Sequence, residues 1–451
     1  MTFENLGLSQ SVLKALALKD YASPSPIQAQ AIPTLLQGRD LLGIAQTGTG
    51  KTAAFMLPSI DRLVASGTRV QPRSCRMLVL APTRELASQI AASARNYAKF
   101  AQLSVATVFG GTSVHKNRQD LARGVDVLVA TPGRLIDLVE QNAVTLAKIE
   151  ILVVDEADQM MDLGFIHALR KIVAMVPRVR QTLFFSATMP KTIRDLADKF
   201  LTDPAEVKVT PEATTAERVD QYVTFCNASE KQALLTLTLR ETEMDRCLVF
   251  TRTKHGADRV VRQLAASGIA ANAIHGNKSQ AQRERALGEF RAGKTPVLIA
   301  TDVAARGIDV PGVSHVINFE LPNVAEQYVH RIGRTARAGK DGIALAFCSD
   351  EERGDLKGIE KLIRQRIAIA SPPQGLAAEA AKIKASRPAP APLSERPRHD
   401  GRAPGGNGGG HRRGGRPGGG SGPAHRSANG GVRKGEVGRH SGRVRPATAR
   451  G

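Results

Sequence analysis

The chain has 451 residues, 42% of them hydrophobic, and carries 63 Lys and Arg against 42 Asp and Glu, a net charge of +21. That length exceeds one comfortable core, so two or three domains are expected. The charge points to a polyanionic partner, and the lack of a long apolar span or a basic amphipathic helix with aromatic anchors speaks against a membrane as that partner. Cys75, Cys226, Cys247 and Cys348 are far apart and form no CxxC pair, so neither a zinc site nor a disulfide framework is suggested. Buried thiols in a reducing compartment are the expectation. Met1–Asn5 shows no basic-then-apolar leader, which leads to the expectation of a soluble, cytoplasmic protein.

Residues 1–205 alternate β-rich runs with helical patterns. The first informative stretch is the apolar run Asp40–Ile44, then Ala45-Gln46-Thr47-Gly48-Thr49-Gly50-Lys51-Thr52, then Ala53–Leu57. It reads as strand, glycine loop and helix. Such a loop wraps its amides around a polyphosphate, and the helix start adds its dipole and unpaired N–H groups. Lys51 is placed to reach the β/γ-phosphates and Thr52 to ligate Mg²⁺. The general pattern begins with Gly, where this chain has Ala45.

Strands follow at Met77–Leu80, Val105–Val108, Val125–Val129, Ile151–Val154 and Thr182–Phe185. Near-continuous apolar strands separated by helices indicate a parallel sheet covered on both faces, with function at the carboxyl ends of its strands. Asp155-Glu156-Ala157-Asp158 follows one of these strands. An acidic helix start explains such a run equally well by itself. Beside a phosphate loop, Asp155 is expected to hold the metal and Glu156 to orient or deprotonate a water.

Residues 206–217 are polar and read as a linker. Alternation resumes over 218–370 with strands at Cys247–Phe250, Ala271–Ile274, Val297–Ala300, His315–Asn318 and Ile343–Phe347, without a second phosphate loop. From 371 to 451 Pro, Ala, Gly and Arg dominate, and no aromatic ring of Phe, Tyr or Trp follows Phe347. Residues 387–451 hold 14 Lys and Arg against 3 Asp and Glu. Such a segment buries too little apolar surface to offset its chain entropy, so 371–451 reads as a disordered basic tail.

Ten motifs in order resemble those of the DEAD-box RNA helicases of helicase superfamily two, over about residues 1–370. They are Tyr21–Gln28 with the upstream Phe3, Ala45–Thr52, Pro82–Ala87, Gly110-Gly111, Thr131–Arg134, Asp155–Asp158, Ser186–Thr188, Val249-Phe250, Thr301–Asp309 and His330–Arg337. The Gly/Arg tail and compact core further resemble the bacterial RhlE-type branch. The resemblance implies an α/β fold of two tandem RecA-like domains and an ATP-dependent RNA helicase. It implies that Gln28 reads the adenine edge, that Tyr21 stacks on the base, and that Asp309 meets the ribose. It makes Arg334 and Arg337 arginine fingers, completing a catalytic set with Lys51, Thr52, Asp155 and Glu156. Asp158, Ser186, Thr188, His330 and Arg331 are implied to couple the domains across a cleft. Ala336 stands where the family usually has Gly, a mild change at negative φ and a costly one at positive φ.

Small and basic residues at strand ends mark the RNA face: Thr83, Arg84, Gly110, Gly111, Thr131, Gly133, Arg134, Gly276 and Thr301. Aromatic content is only 4% with no Trp, which favours backbone and 2′-OH contacts over base reading. His275 and His315 read as core or loop residues. The expected cofactors are ATP and Mg²⁺, and the expected partner is RNA without sequence preference. Ribosomal or RNA-decay ribonucleoproteins are further candidates, and the protein is expected to be a monomer. Two other readings are kept: an ATP-dependent RNA clamp with little unwinding, and a tail-driven RNA-annealing protein.

Overall fold

A computed structural model describes residues 1–46, 48–209, 219–305, 308, 310, 312–336 and 342–385. Seven parallel strands form the first sheet: β1 (Leu41–Ile44), β2 (Cys75–Leu80), β3 (Val105–Val108), β4 (Val125–Ala130), β5 (Ile151–Val154), β6 (Gln181–Ser186) and β7 (Ala205–Lys208), in the order β3-β4-β2-β5-β6-β1-β7. Seven more form the second: β8 (Val219–Phe225), β9 (Cys247–Phe250), β10 (Ala271–Ile274), β11 (Val297–Ala300), β12 (His315–Asn318), β13 (Gly342–Cys348) and β14 (Ala368–Ile369), in the order β10-β11-β9-β12-β13-β8-β14. The second order repeats the first position by position. This is the two-domain RecA-like α/β fold expected from the sequence.

The central strands are buried on both faces because both carry large apolar side chains. Val79, Val153 and Phe185 pack under the helices Lys51–Ala65 and Arg84–Tyr97 on one face, and Leu78, Leu152 and Phe184 make the core of the other. Each such side chain contributes about 1.5–3 kcal/mol by leaving water. Helices therefore cover both faces, and polar residues collect at the carboxyl ends of the strands.

Two boundaries differ from the sequence reading. The linker assigned to 206–217 begins inside β7, which pairs with β1 from Leu41↔Ala205 to Ile44↔Lys208, so that stretch completes the first sheet. Residues 210–217 lie outside the described residues, as do 386–451 of the tail. The tail assigned from 371 contains a helix, Leu376–Ala385. Leu376 packs against the second core, and Glu379 pairs with Arg240 at 3.1 Å. Its Ala-rich run has high helix propensity, which composition averaged over 81 residues conceals. Among the described residues no helix is long and apolar enough to cross a membrane.

Candidate functional site

The loop after β1 turns on Gly48 (φ 86°) and Gly50 (φ 93°), and the following helix starts at Lys51. Lys51 is 5% exposed and its Nζ donates to the Ala45 carbonyl at 2.9 Å. Ser25 and Gln28 brace this loop from outside. The Ser25 Oγ donates to the Thr49 carbonyl at 2.7 Å, and the Gln28 Nε2 donates to the Gly50 carbonyl at 3.1 Å. A Cβ on Gly50 would stand 2.4 Å from that nitrogen and would have to sit at φ 93°, so a side chain here would displace the Gln28 amide and strain the backbone. The Gln28 Oε1 also accepts from the Ser25 amide at 2.9 Å, closing a capping box at the helix start. One N–H and one lone pair of the amide stay available for a base edge. Thr47 lies outside the described residues.

Tyr21 is 39% exposed, whereas Phe3 is buried behind it, with ring centroids 6.2 Å apart at 25°. Phe3 therefore backs Tyr21 and does not itself face a ligand. The Tyr21 hydroxyl also pairs with that of Tyr97 at 3.1 Å. Tyr97 escaped the sequence reading because it sits in the last turn of an amphipathic helix and looks like core.

Asp155 and Glu156 leave the end of β5, each 2% exposed. Glu156 is held at φ 55°, ψ 53°, a left-handed conformation that costs a non-glycine residue on the order of 1–3 kcal/mol. Burial raises both carboxyl pKa values, Glu156 up to about 7, while the Lys51 ammonium pulls both back down. Among the described residues, Asp155 Oδ1 and Glu156 Oε2 are buried without a hydrogen-bond partner. Oxygens left so are costly unless a cation or a proton meets them. With Thr52 at the adjoining helix start, this hard-oxygen set fits Mg²⁺. Asp158 Oδ2 accepts from the amides of Ala187 (3.1 Å) and Thr188 (2.9 Å) and from the Thr188 Oγ1 (3.0 Å). Ser186 Oγ donates to the Thr188 carbonyl at 2.7 Å. The expected link from the acidic cluster to the Ser-Ala-Thr turn is thus present.

The second domain faces this cluster across a cleft. A cavity of about 100 Å³ is lined by Gln46, Ala187 and Thr188 from one side and His330, Gly333 and Arg334 from the other. Arg334 is 5% exposed, donates to the Ile308 carbonyl at 2.9 Å, and its charge lowers the Glu156 pKa, so the two are within electrostatic reach. Arg337 and Asp309 lie outside the described residues. Arg331 departs from its expected role. Its guanidinium forks onto Asp302 at 2.6 and 2.8 Å, reaches Asn318 and the Glu320 carbonyl, and lies 5.0 Å over the Phe250 ring. Four hydrogen bonds to acceptors of its own domain hold this guanidinium, which is 2% exposed. It stiffens the second domain and does not meet the acidic cluster. Gln159 lines a pocket with Asp302, His330, Arg331 and Arg334, so Arg331 borders the cleft while its hydrogen bonds stay within the second domain. Ala336 has φ 52°, the costly case for its methyl.

The expected RNA residues gather at the carboxyl ends of β2, β3, β4, β10 and β11. Thr83 caps the helix Arg84–Tyr97, accepting from the Leu86 amide at 3.3 Å. Arg84 lies against Gly110 and Gly111, and a Cβ on Gly111 would come 2.3 Å from its Nη1. Burial and the nearby charges of Arg283 and Arg134 lower the Arg84 pKa, so three cations converge here. Arg134 donates to the Thr112 carbonyl at 2.9 Å, one helical turn from the cap Thr131. Gly133 and Gly276 have open space where a side chain would stand. Thr301 sits where β11 ends, its carbonyl accepting from the Ala305 amide at 2.9 Å. An ion pair absent from the sequence reading crosses between the domains: Arg283 Nε to Glu85 Oε1 at 2.6 Å, with Arg283 Nη1 on the His275 carbonyl at 3.2 Å. Both residues look like solvent-facing helix charges in sequence, and nothing in their spacing pairs them.

The family model described as DEAD/DEAH box helicase matches residues 25–196, and that of the helicase conserved C-terminal domain matches residues 229–339. The DEAD-box ATP-dependent RNA helicase CshA of Bacillus cereus is 41% identical over 366 residues, 81% of this chain and 69% of that protein. The RNA helicase CrhR of Synechocystis is 42% identical over 384 residues, 85% of this chain and 77% of that one. Among solved structures, S. cerevisiae Dbp5 bound to RNA and ADP BeF3 superposes with a TM-score of 0.73 at 32% identity, covering 85% of this chain and 99% of that chain.

Proposed function

The chain belongs to the DEAD-box family of ATP-dependent RNA helicases, and from that premise we propose an RNA-dependent ATPase that separates or remodels short RNA structures by closing its two domains. The observation that carries this reading is the pair of buried, unpartnered carboxylate oxygens of Asp155 and Glu156, beside Lys51 and within reach of Arg334. Loop amides and Lys51 bind the ATP phosphates, Tyr21 stacks on the base, and Gln28 meets its edge with the capacity left on its amide. Thr52 and Asp155 hold Mg²⁺, which neutralises phosphate charge when bound. Glu156 takes a proton from the attacking water; a base near pH 7 suits that step. Arg334, with Arg337, stabilises the charge that develops on the transferred phosphoryl. Thr83, Arg84, Gly110, Gly111, Thr131, Gly133, Arg134, Gly276 and Thr301 grip the RNA backbone. RNA and ATP each favour closure, so each strengthens the other.

Residues 1–209 and 219–370 act as the two domains, in the cytoplasm, on RNA of any sequence and within ribosome-assembly or RNA-decay complexes. Monomeric action and the RhlE-type branch belong to the same reading, the branch resting on tail composition and core length. Steady-state ATP hydrolysis with and without a structured RNA, beside Lys51→Ala, tests the proposal. Strong RNA stimulation that the variant abolishes is expected. Hydrolysis indifferent to RNA would reduce the protein to a generic P-loop ATPase.

A further inference from the structure

The two sheets share one strand order, so each residue beside the phosphate loop has a counterpart in the second domain. β8 holds the place of β1, and the helix after it starts at Lys231, as the helix after β1 starts at Lys51. Thr52 is answered by Gln232, and Asp155, the residue after β5, by Phe319, the residue after β12. No glycine loop survives, since Asn227-Ala228-Ser229-Glu230 leads into the helix. The metal-binding half is gone, but the lysine remains and is only 4% exposed.

Lys231 is met by a carboxylate. Its Nζ bonds to Glu352 and donates to the carbonyls of Phe319 and Phe347, both at 2.9 Å. Glu352, 5% exposed, also accepts from the Leu321 amide (3.1 Å), the Ser349 amide (2.9 Å) and the Ser349 Oγ (3.1 Å), with Arg252 at 3.4 Å. These donors come from the chain beyond β8, β9, β12 and β13, four neighbouring strands. In the first sheet the same four positions are β1, β2, β5 and β6, whose ends carry Lys51, Asp155 and Ser186. One anion thus gathers backbone N–H, hydroxyl, ammonium and guanidinium groups as a bound phosphate does.

We propose that the second domain contains an oxyanion site corresponding to the nucleotide site of the first, and that Glu352 is its permanent, covalently attached ligand. In the first domain Lys51 lies near the Asp155 and Glu156 carboxyls but, among the described residues, has no carboxylate bonded to it, its Nζ donating to the Ala45 carbonyl, which leaves the ammonium to a triphosphate. In the second domain Glu352 meets that of Lys231 at all times, keeps nucleotide out, and ties four strand ends together. Arg252 and Leu321 adjoin Phe250 and Glu320, which wall in Arg331, so the domain arrives at the cleft as a preassembled rigid partner.

The test is anion rescue in the full-length protein. Glu352→Ala leaves a buried ammonium unpaired, and its unfolding midpoint is expected to fall by about 10 °C. Acetate or inorganic phosphate, at matched ionic strength and with the first domain saturated by ADP, is expected to restore most of that loss saturably. The parent and the double variant Lys231→Met, Glu352→Ala are expected not to respond. A folded Glu352→Ala that ignores both anions overturns the proposal. Should that variant fail to fold, Glu352→Gln serves: it is expected to be destabilised and to recover when Lys231→Met is added. Parent-like stability of Glu352→Gln alone would equally overturn it.

Discussion

Glu156 sets the conditions of its own chemistry. Its carboxyl titrates near 7 in the fold against 4.5 when exposed, because burial penalises the charge. Between those values the folded chain holds a proton that the unfolded chain has lost. Stability therefore falls as pH rises through that window, and the full penalty persists above pH 7. Glu156→Gln is expected to keep ATP and RNA binding, to lower turnover about 10²–10⁴-fold, and to gain roughly 3 kcal/mol at most above pH 7. The gain should vanish below pH 4.5; calorimetry at both ends checks it, and equal gains would refute the assignment. Ala336 offers a second residue-scale test. Its φ of 52° strains the turn that carries Arg334, so Ala336→Gly should stabilise by about 0.5–1 kcal/mol after the extra freedom of the unfolded chain is deducted. A loss measured in denaturant titration would mean that the strain is relieved elsewhere. The departure from the family pattern was legible in sequence, but its sign depended on φ, which spacing does not reveal. Arg331 was misread for a related reason: a motif specifies a side chain and not the direction in which a buried guanidinium finds its acceptors.

At the scale of elements, the strands were legible because a parallel sheet demands continuous apolar runs, and Ile151–Val154, Cys247–Phe250 and Val297–Ala300 appear within the bounds read from sequence. β8 escaped because Asp220 and Tyr222 are exposed between the buried Val219, Gln221 and Val223, an edgeward alternation amid polar residues. The helix Arg84–Tyr97 joins two functions that no motif connects. It starts at Arg84 and Glu85 beside the proposed RNA face and ends, about 20 Å away, at Tyr97 on the Tyr21 hydroxyl. Tyr97→Phe removes one oxygen and with it the hydrogen bonds to Tyr21 and Ser93. A rise of about fivefold in KM for ATP is expected, with kcat unchanged at saturation. A fall in kcat at constant KM would show that Tyr97 serves the helix and not the base site.

Across the whole molecule, the Glu85–Arg283 pair is buried where the domains meet. Arg283→Ala strands the Glu85 carboxylate in the closed form. Half-maximal stimulation is then expected to need about 10–100-fold more RNA, while the unfolding transitions of the separate domains stay in place. An unchanged RNA titration would remove the pair from closure. Deleting 387–451, with its 14 Lys and Arg, should weaken RNA binding and flatten its salt dependence while sparing the RNA-saturated rate. A salt slope equal to that of the parent would separate the tail from RNA. The strand order carries a consequence for the chain as it is made. β1, which leads into the phosphate loop, lies between β6 and β7. On a ribosome adding residues at ordinary speed, β1 emerges on the order of ten seconds before either neighbour. During that interval its edges are unpaired, a state prone to mispairing with other chains. β8 repeats the delay, waiting for β13 and β14. Each half of the protein thus acquires its working end only when its last strand is synthesised, and nascent chains cut short before Lys208 should fail to retain ATP.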